Sequence, residues 1–255
     1  MDFLKDIKNN DGQTSLYFIG QAGFIIKSKK GHLLGIDLYL SDCVERVETD
    51  HVGFKRLLPK IINPNDIIFD VLICTHFHRD HYDVDSIPFL MKNDVTHLFC
   101  PEDCKEDSEN LNRVTIVKPG QNYKINDFNI HFINCDHGSG APFAVGVIIE
   151  VDGIRILEVG DTCLRTDRID EYLSFGKIDT LIAPINGMYG NLNSSECAEL
   201  VNLIQPKFVI PCHYGMFAAH HGDVGLFHEI MDREYPNNKY LIMRQGEKYI
   251  FTEND

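Results

Sequence analysis

From Ser15 onward the chain alternates short apolar runs with polar turns. Residues 15–19 and 23–27 are apolar-rich and of strand length, and Lys29-Lys30-Gly31 turns the chain into a third run at 32–38. Residues 70–74, 114–117 and 128–133 predict further strands, as do 180–183 and 208–210. Runs at 145–151 and 154–159 flank Asp152-Gly153, which supplies the positive φ angles of a tight hairpin. Residues 239–244 and 247–252 predict a last hairpin.

Two segments have helical periodicity. Asn193 and Glu196 have the spacing of a capping box. Cys197, Leu200, Val201 and Ile204 follow as an i, i+3, i+4, i+7 stripe, and Pro206 ends the run. Residues 223–235 predict another helix, and 43–60 a lid or an extra helix. Strands from both halves of the chain, interleaved with helices, predict an α/β fold with two sheets, in a single domain spanning 1–255.

Composition narrows the function. A formal net charge of −14 over 255 residues is ill suited to holding phosphate backbones. The expected partner is therefore a small molecule, not a nucleic acid. No run approaches the roughly 20 apolar residues that cross a bilayer. The N-terminal MDFLKDIKNNDGQ lacks the apolar core of a signal peptide, so a cytoplasmic protein without a membrane partner is expected. The eight cysteines include no CxxC pair, which predicts reduced thiols.

The strongest chemical signal is Thr75-His-Phe-His-Arg-Asp-His81, directly after an apolar run. His76, His78, Asp80 and His81 crowd six positions. Imidazole and carboxylate are the usual ligands of Zn²⁺ and also suit Mn²⁺ and Fe²⁺. The alternative is a polar surface loop rich in histidine. Three later segments repeat the same placement. Cys135-Asp136-His137-Gly138, Gly160-Asp161-Thr162 and Pro211-Cys212-His213 each follow an apolar run and sit beside Gly or Pro. Loops at one edge of a sheet project side chains into a common site in this way.

An HxHxDH cluster, then a His, then Gly-Asp-Thr, then Pro-x-His resembles the metallo-β-lactamase superfamily. The resemblance spans about 16–252. It implies a four-layer αββα sandwich and two divalent metal ions, Zn²⁺ or Mn²⁺ with Fe²⁺ also suited. It further implies His76, His78 and His137 on one ion, Asp80, His81 and His213 on the second, and Asp161 bridging. Asp37 matches an acidic position that supports the ligands. Phe77 departs from the HxExDH pattern of the superfamily's diiron oxygen reductases, and Asp161 stands where the antibiotic-degrading enzymes generally place Cys. The stretches at 36–42, 118–120 and 211–217 are similar to L-ascorbate-6-phosphate lactonase and its relatives.

The implied activity is hydrolysis of a lactone such as L-ascorbate 6-phosphate, or of a related small carbohydrate ester, with Asp80 and Asp161 as catalytic residues. Two readings compete with it. One is a small-molecule phosphodiesterase or nuclease of the same superfamily, and the other a non-catalytic metal-binding scaffold. Lys55, Arg56, Arg79 and Arg165 are the candidates for a substrate phosphate. Tyr214, His220, His221, Asn186 and Tyr189 are candidates for the pocket, with a surface-loop role expected for His220 and His221. The lactonase resemblance also implies a homo-oligomer.

Overall fold

The structure is a computed structural model and describes residues 3–252. Among the described residues thirteen strands form two sheets. The first contains β1 (Ser15–Gly20), β2 (Gly23–Lys27), β3 (Leu33–Ile36), β4 (Val71–Ile73), β5 (His97–Pro101) and β6 (Val114–Val117) in sequence order, with β13 (Lys248–Ile250) outside β1. The second runs β12 (Phe208–Cys212), β11 (Thr180–Pro184), β10 (Ile154–Glu158), β9 (Val145–Val151), β8 (Phe128–Asn134), β7 (Asn122–Ile125). Both sheets are mixed: β3 to β6 and β10 to β12 pair in parallel, the rest antiparallel.

The period-two alternation of each strand explains why the sheets stack. Phe24 and Ile26 of β2 point between the sheets, joined there by Ile73, Phe99, Phe132 and Ile149. Ile25, Leu72 and Leu98 face the other way, against α1 (Phe3–Lys8) and α3 (Ile87–Leu90). On the far side, Leu157, Leu181 and Val209 pack on α6 (Ser194–Ile204) and α7 (Val224–Glu234). The layers are helix, sheet, sheet, helix, as the family resemblance implies. Short helices α2 (Cys43–Val47), α4 (Lys105–Ser108) and α5 (Ile169–Leu173) complete the set among the described residues.

The expected capping box is present. The Asn193 side chain accepts from the backbone N–H groups of Ser195 and Glu196, and Glu196 accepts from that of Asn193. Asp223 caps α7 in the same way.

Strands β5 and β7 were not expected from the pattern. The structure corrects two readings. Residues 239–244 and 247–252 do not form a hairpin. Tyr240 instead makes a single parallel bridge to Val209 of β12, while β13 pairs antiparallel with β1. Each run finds an otherwise open sheet edge, so the two straddle the sandwich instead of pairing together. Of the segment 43–60, only Cys43–Val47 is helical, and the rest is turns and irregular chain.

Candidate metal centre

All the candidate ligands lie just beyond the carboxyl ends of strands, at one rim of the sandwich. His76, His78, Asp80 and His81 occupy the turn after β4. His137 follows β8, Asp161 follows β10 and His213 follows β12. Two backbone hydrogen bonds tie the rims of the two sheets together: His213 N–H donates to Gln21 O at 2.9 Å and Val145 N–H to Thr75 O at 3.0 Å.

The seven side chains converge. His76 Nε2 lies 2.9 Å from His78 Nδ1, which lies 3.1 Å from His137 Nε2. Asp80, His81 and His213 form a second group, and His76, His81 and Asp161 a third between them, each with its donor atoms within 4.8 Å of one another. Asp161 Oδ1 is 2.7 Å from His213 Nε2, while its Oδ2 is 3.4 Å from His81 Nε2 and 3.8 Å from His137 Nε2. One carboxylate thus faces both clusters.

The donor chemistry fits divalent ions. The Nε2 atoms of His81 and His213 are fully buried and make no well-aligned hydrogen bond among the described residues, although Asp161 oxygens stand 3.4 and 2.7 Å from them. A native interior rarely leaves such groups unpaired without a functional reason. Five imidazoles and two carboxylates are an N/O set suited to Zn²⁺, Mn²⁺ or Fe²⁺.

Supporting groups fix the ligands. Asp37 accepts from Thr75 through both oxygens and lies 2.7 Å from His81 Nδ1. Its backbone is left-handed (φ 47°), as is that of His213 (φ 63°). Such strain in non-glycine residues gathers where a site must be shaped. Gln21, also left-handed at φ 58°, sets its Nε2 2.8 Å from Asp80 Oδ2, 3.0 Å from His213 Nδ1 and 2.6 Å from His220 Nδ1. Asn191 donates to Asp161 Oδ2 at 2.8 Å and to Asn186 Oδ1 at 3.1 Å.

Burial and charge divide the histidines. Burial holds His76 well below its usual pKa, with the neighbouring His81 adding to the effect, and holds His78 lower as well. Burial also pulls His137 and His220 down to about 4. Those rings are neutral at pH 7, as metal ligation requires. At His81 burial is outweighed by Asp161, Asp37 and Asp80, and its pKa rises well above the usual value. Burial pushes Asp80 up, but His81, His220 and His213 prevail and hold it at about 2. Asp161 is held well below the carboxylate range by His213 and His81 despite its burial.

A cavity of about 180 Å³ opens onto the ligands, with walls that include Val44, Glu48, Phe54, Tyr189, Asn191 and His220. Larger clefts lie elsewhere, such as one of about 680 Å³ beside α4, and contain none of the clustered ligands. His220 is buried within the site, correcting the surface role expected for it, because α2 and the chain after it close over this side. His221 is exposed, as expected. Asn186 is buried behind Asn191, and Tyr214 donates to the carbonyl of Met243, away from the cavity. None of the four basic candidates lines the cavity. Arg79 pairs with Asp107, Arg165 with Asp136 and Asp167, and Lys55 is exposed. Arg56 donates to the carbonyls of Tyr39, Ser41 and Leu58. Gln21 and Asn191 were not expected. Each stands alone in its turn, and only the fold brings it to the ligands.

Comparison with known proteins agrees with this geometry. Residues 15–213 match the family model described as the beta-lactamase superfamily domain, and the chain belongs to that superfamily. A UPF0173 metal-dependent hydrolase from Polynucleobacter asymbioticus is 27% identical over 94% of this chain and 87% of its own. Another from Pyrococcus furiosus is 28% identical over 90% and 96%. Among solved structures, Igni18, a metallo hydrolase from Ignicoccus hospitalis, superimposes with a TM-score of 0.72 at 20% identity, covering 94% of this chain and 99% of that one. An isothiocyanate hydrolase from Delia radicum gut bacteria gives 0.76 at 17%, covering 93% and 99%. Fold, ligand constellation and relatives together define a metal-dependent hydrolase of the metallo-β-lactamase superfamily.

Proposed function

We propose that this hydrolase opens a small lactone, or a related small carbohydrate ester, at a dinuclear site. His76, His78 and His137 would hold one divalent ion, Asp80, His81 and His213 the other, with Asp161 shared. The observation that carries the reading is Asp161, whose two oxygens face both clusters. Bound there, an ion pair brings the pKa of water near neutrality and polarises a carbonyl.

The protein's own groups supply position and proton transfer. Asp80, with one oxygen beside the Gln21 amide, orients the attacking water and relays its proton to the leaving alkoxide. Asp161 is kept ionised by His213 and His81, the form in which it would serve as a metal ligand. Asn191, donating to Asp161 Oδ2, fixes the rotation of that carboxylate.

The surroundings of the cavity modify the expected substrate. Among the described residues no Lys or Arg lines it, so its wall offers no cationic side chain to pair with a phosphate substituent held away from the ions. The substrate we propose is therefore unphosphorylated.

The test is hydrolysis by protein reconstituted separately with Zn²⁺ and Mn²⁺, offered γ-lactones, an aryl ester, L-ascorbate 6-phosphate and bis(p-nitrophenyl) phosphate. Lactone turnover that disappears in Asp80→Ala is the expected result. Faster turnover of the phosphodiester would replace this reading with the phosphodiesterase one. Tight metal binding with no turnover of any substrate would leave a scaffold.

A further inference from the structure

We propose that the mouth of the cavity selects substrates by charge, admitting uncharged or cationic molecules with a small apolar or aromatic group and rejecting anions. The proposal rests on the reading that this cavity receives the substrate. It adds the chemical class.

Glu48 carries the argument. It lies just past α2 in the cavity wall, half-buried, and its carboxylate has no hydrogen bond or ion pair among the described residues. Structural carboxylates here are mostly paired. Asp42, Asp85 and Asp107 in the same region each hold a cation, Lys60, Arg46 and Arg79 respectively. An unpaired carboxylate facing a narrow cavity repels an anion and attracts a cation, and low-dielectric walls strengthen both effects.

Phe54, Tyr189 and His220 line the mouth beside it. The Phe54 ring meets His220 edge-on at 5.6 Å and Tyr189 at 6.1 Å, while Tyr189 and His220 are 5.6 Å apart. Tyr189 is 54% exposed although its ring is large, and its backbone is left-handed at φ 58°. An exposed aromatic held in a costly backbone conformation at a cavity mouth points to a ligand. Aromatic faces next to a carboxylate suit apolar groups and organic cations alike. The ions' own positive charge would act deeper, on the reacting carbonyl, whereas Glu48 faces the substituent that points outward.

The experiment uses three γ-butyrolactones that differ only in substituent: phenyl, trimethylammonio or carboxylate. The metal-loaded protein should show kcat/KM at least tenfold lower for the carboxylate than for either of the others. Glu48→Lys should raise the carboxylate lactone at least tenfold and lower the trimethylammonio one similarly. Glu48→Gln should compress the spread, and Phe54→Ala should raise KM for the phenyl lactone several-fold. Binding of the matching cyclopentanones, which contain no hydrolysable bond, is followed by calorimetry.

The charge order in binding without turnover would overturn the lactonase reading and sustain this one. Turnover with the carboxylate equal or preferred, or unmoved by Glu48→Lys, would overturn the selection and spare the hydrolase. Absence of both binding and turnover would overturn the selection as well.

Discussion

Asp37 Oδ2 stands 2.7 Å from His81 Nδ1, with both side chains wholly buried. The contact fixes which ring nitrogen is left for a metal, because an Nδ1–H that donates to Asp37 leaves Nε2 free. Asp37→Asn should preserve the fold and weaken metal binding about 10- to 100-fold. Competition against a chromophoric chelator reads this directly. An affinity within twofold of the parent would remove the supporting role from Asp37.

Metal should also stabilise the protein. The cluster gathers five imidazoles and two carboxylates from loops of both sheets, a set the unfolded chain does not assemble. A ligand at 100 times its Kd adds about 2.7 kcal/mol. For a chain of this size that corresponds to a rise in Tm on the order of 5 °C or more. Calorimetry with and without excess Zn²⁺ or Mn²⁺ tests it, and an unchanged Tm in both cases would argue against a built site.

Acid should destabilise the metal-free protein before it reaches the carboxylate range. His137 and His220 are held at about 4 when folded, against about 6.5 when unfolded. Between those values the unfolded chain binds more protons, so their contribution falls as pH drops from 7 towards 4. His81 works in the opposite sense. Its raised folded pKa adds stability below the unfolded value, and this is lost as pH rises through the folded one. His76 and His78 are lowered as well, and four lowered rings of the site against one raised ring predict a net loss between pH 7 and 5. Urea midpoints across that interval provide the measurement, and a flat profile would contradict it.

Asp83 holds the supporting loops, although the sequence offered no sign of it. Wholly buried, it accepts from the backbone of Leu40, Ser41, Asp85 and Ser86 and from the hydroxyls of Ser41 and Ser86. Asp83→Ala would orphan several donors at once, at about 1–3 kcal/mol for each that stays buried. A loss of about 3 kcal/mol or more by chemical denaturation is expected.

Gly222 allows His213 its place. A Cβ on Gly222 would lie 2.1 Å from the His213 carbonyl oxygen. Gly222→Ala must therefore push His213 out of line with Asp80 and His81. If the site is dinuclear as proposed, metal titration should then show one tight ion per chain in the variant against two in the parent. Two tight ions in the variant would show that the backbone yields harmlessly.

How much of this could be read from the chain depends on how local each signal is. The ligand loops were legible because His and Asp are dense there and each loop follows a strong apolar run. Gln21, Asn191 and His220 carried no such density, and they reach the site only through the stacking of two sheets. Strand β7, Asn122–Ile125, alternates exposed and half-buried positions over four residues, too short to stand out. The final hairpin was misread because local pattern predicts extended chain but not its partner. Open edges on β12 and β1 offered each run a better neighbour than the other.

The bonds from His213 to Gln21 and from Val145 to Thr75 join rims that belong to different sheets. Every ligand group likewise draws on both. An ion there would act as a rivet between the two halves of the sandwich, adding a bond across the seam where the backbone already crosses it. A chelator should therefore loosen amide protons on both rims in concert.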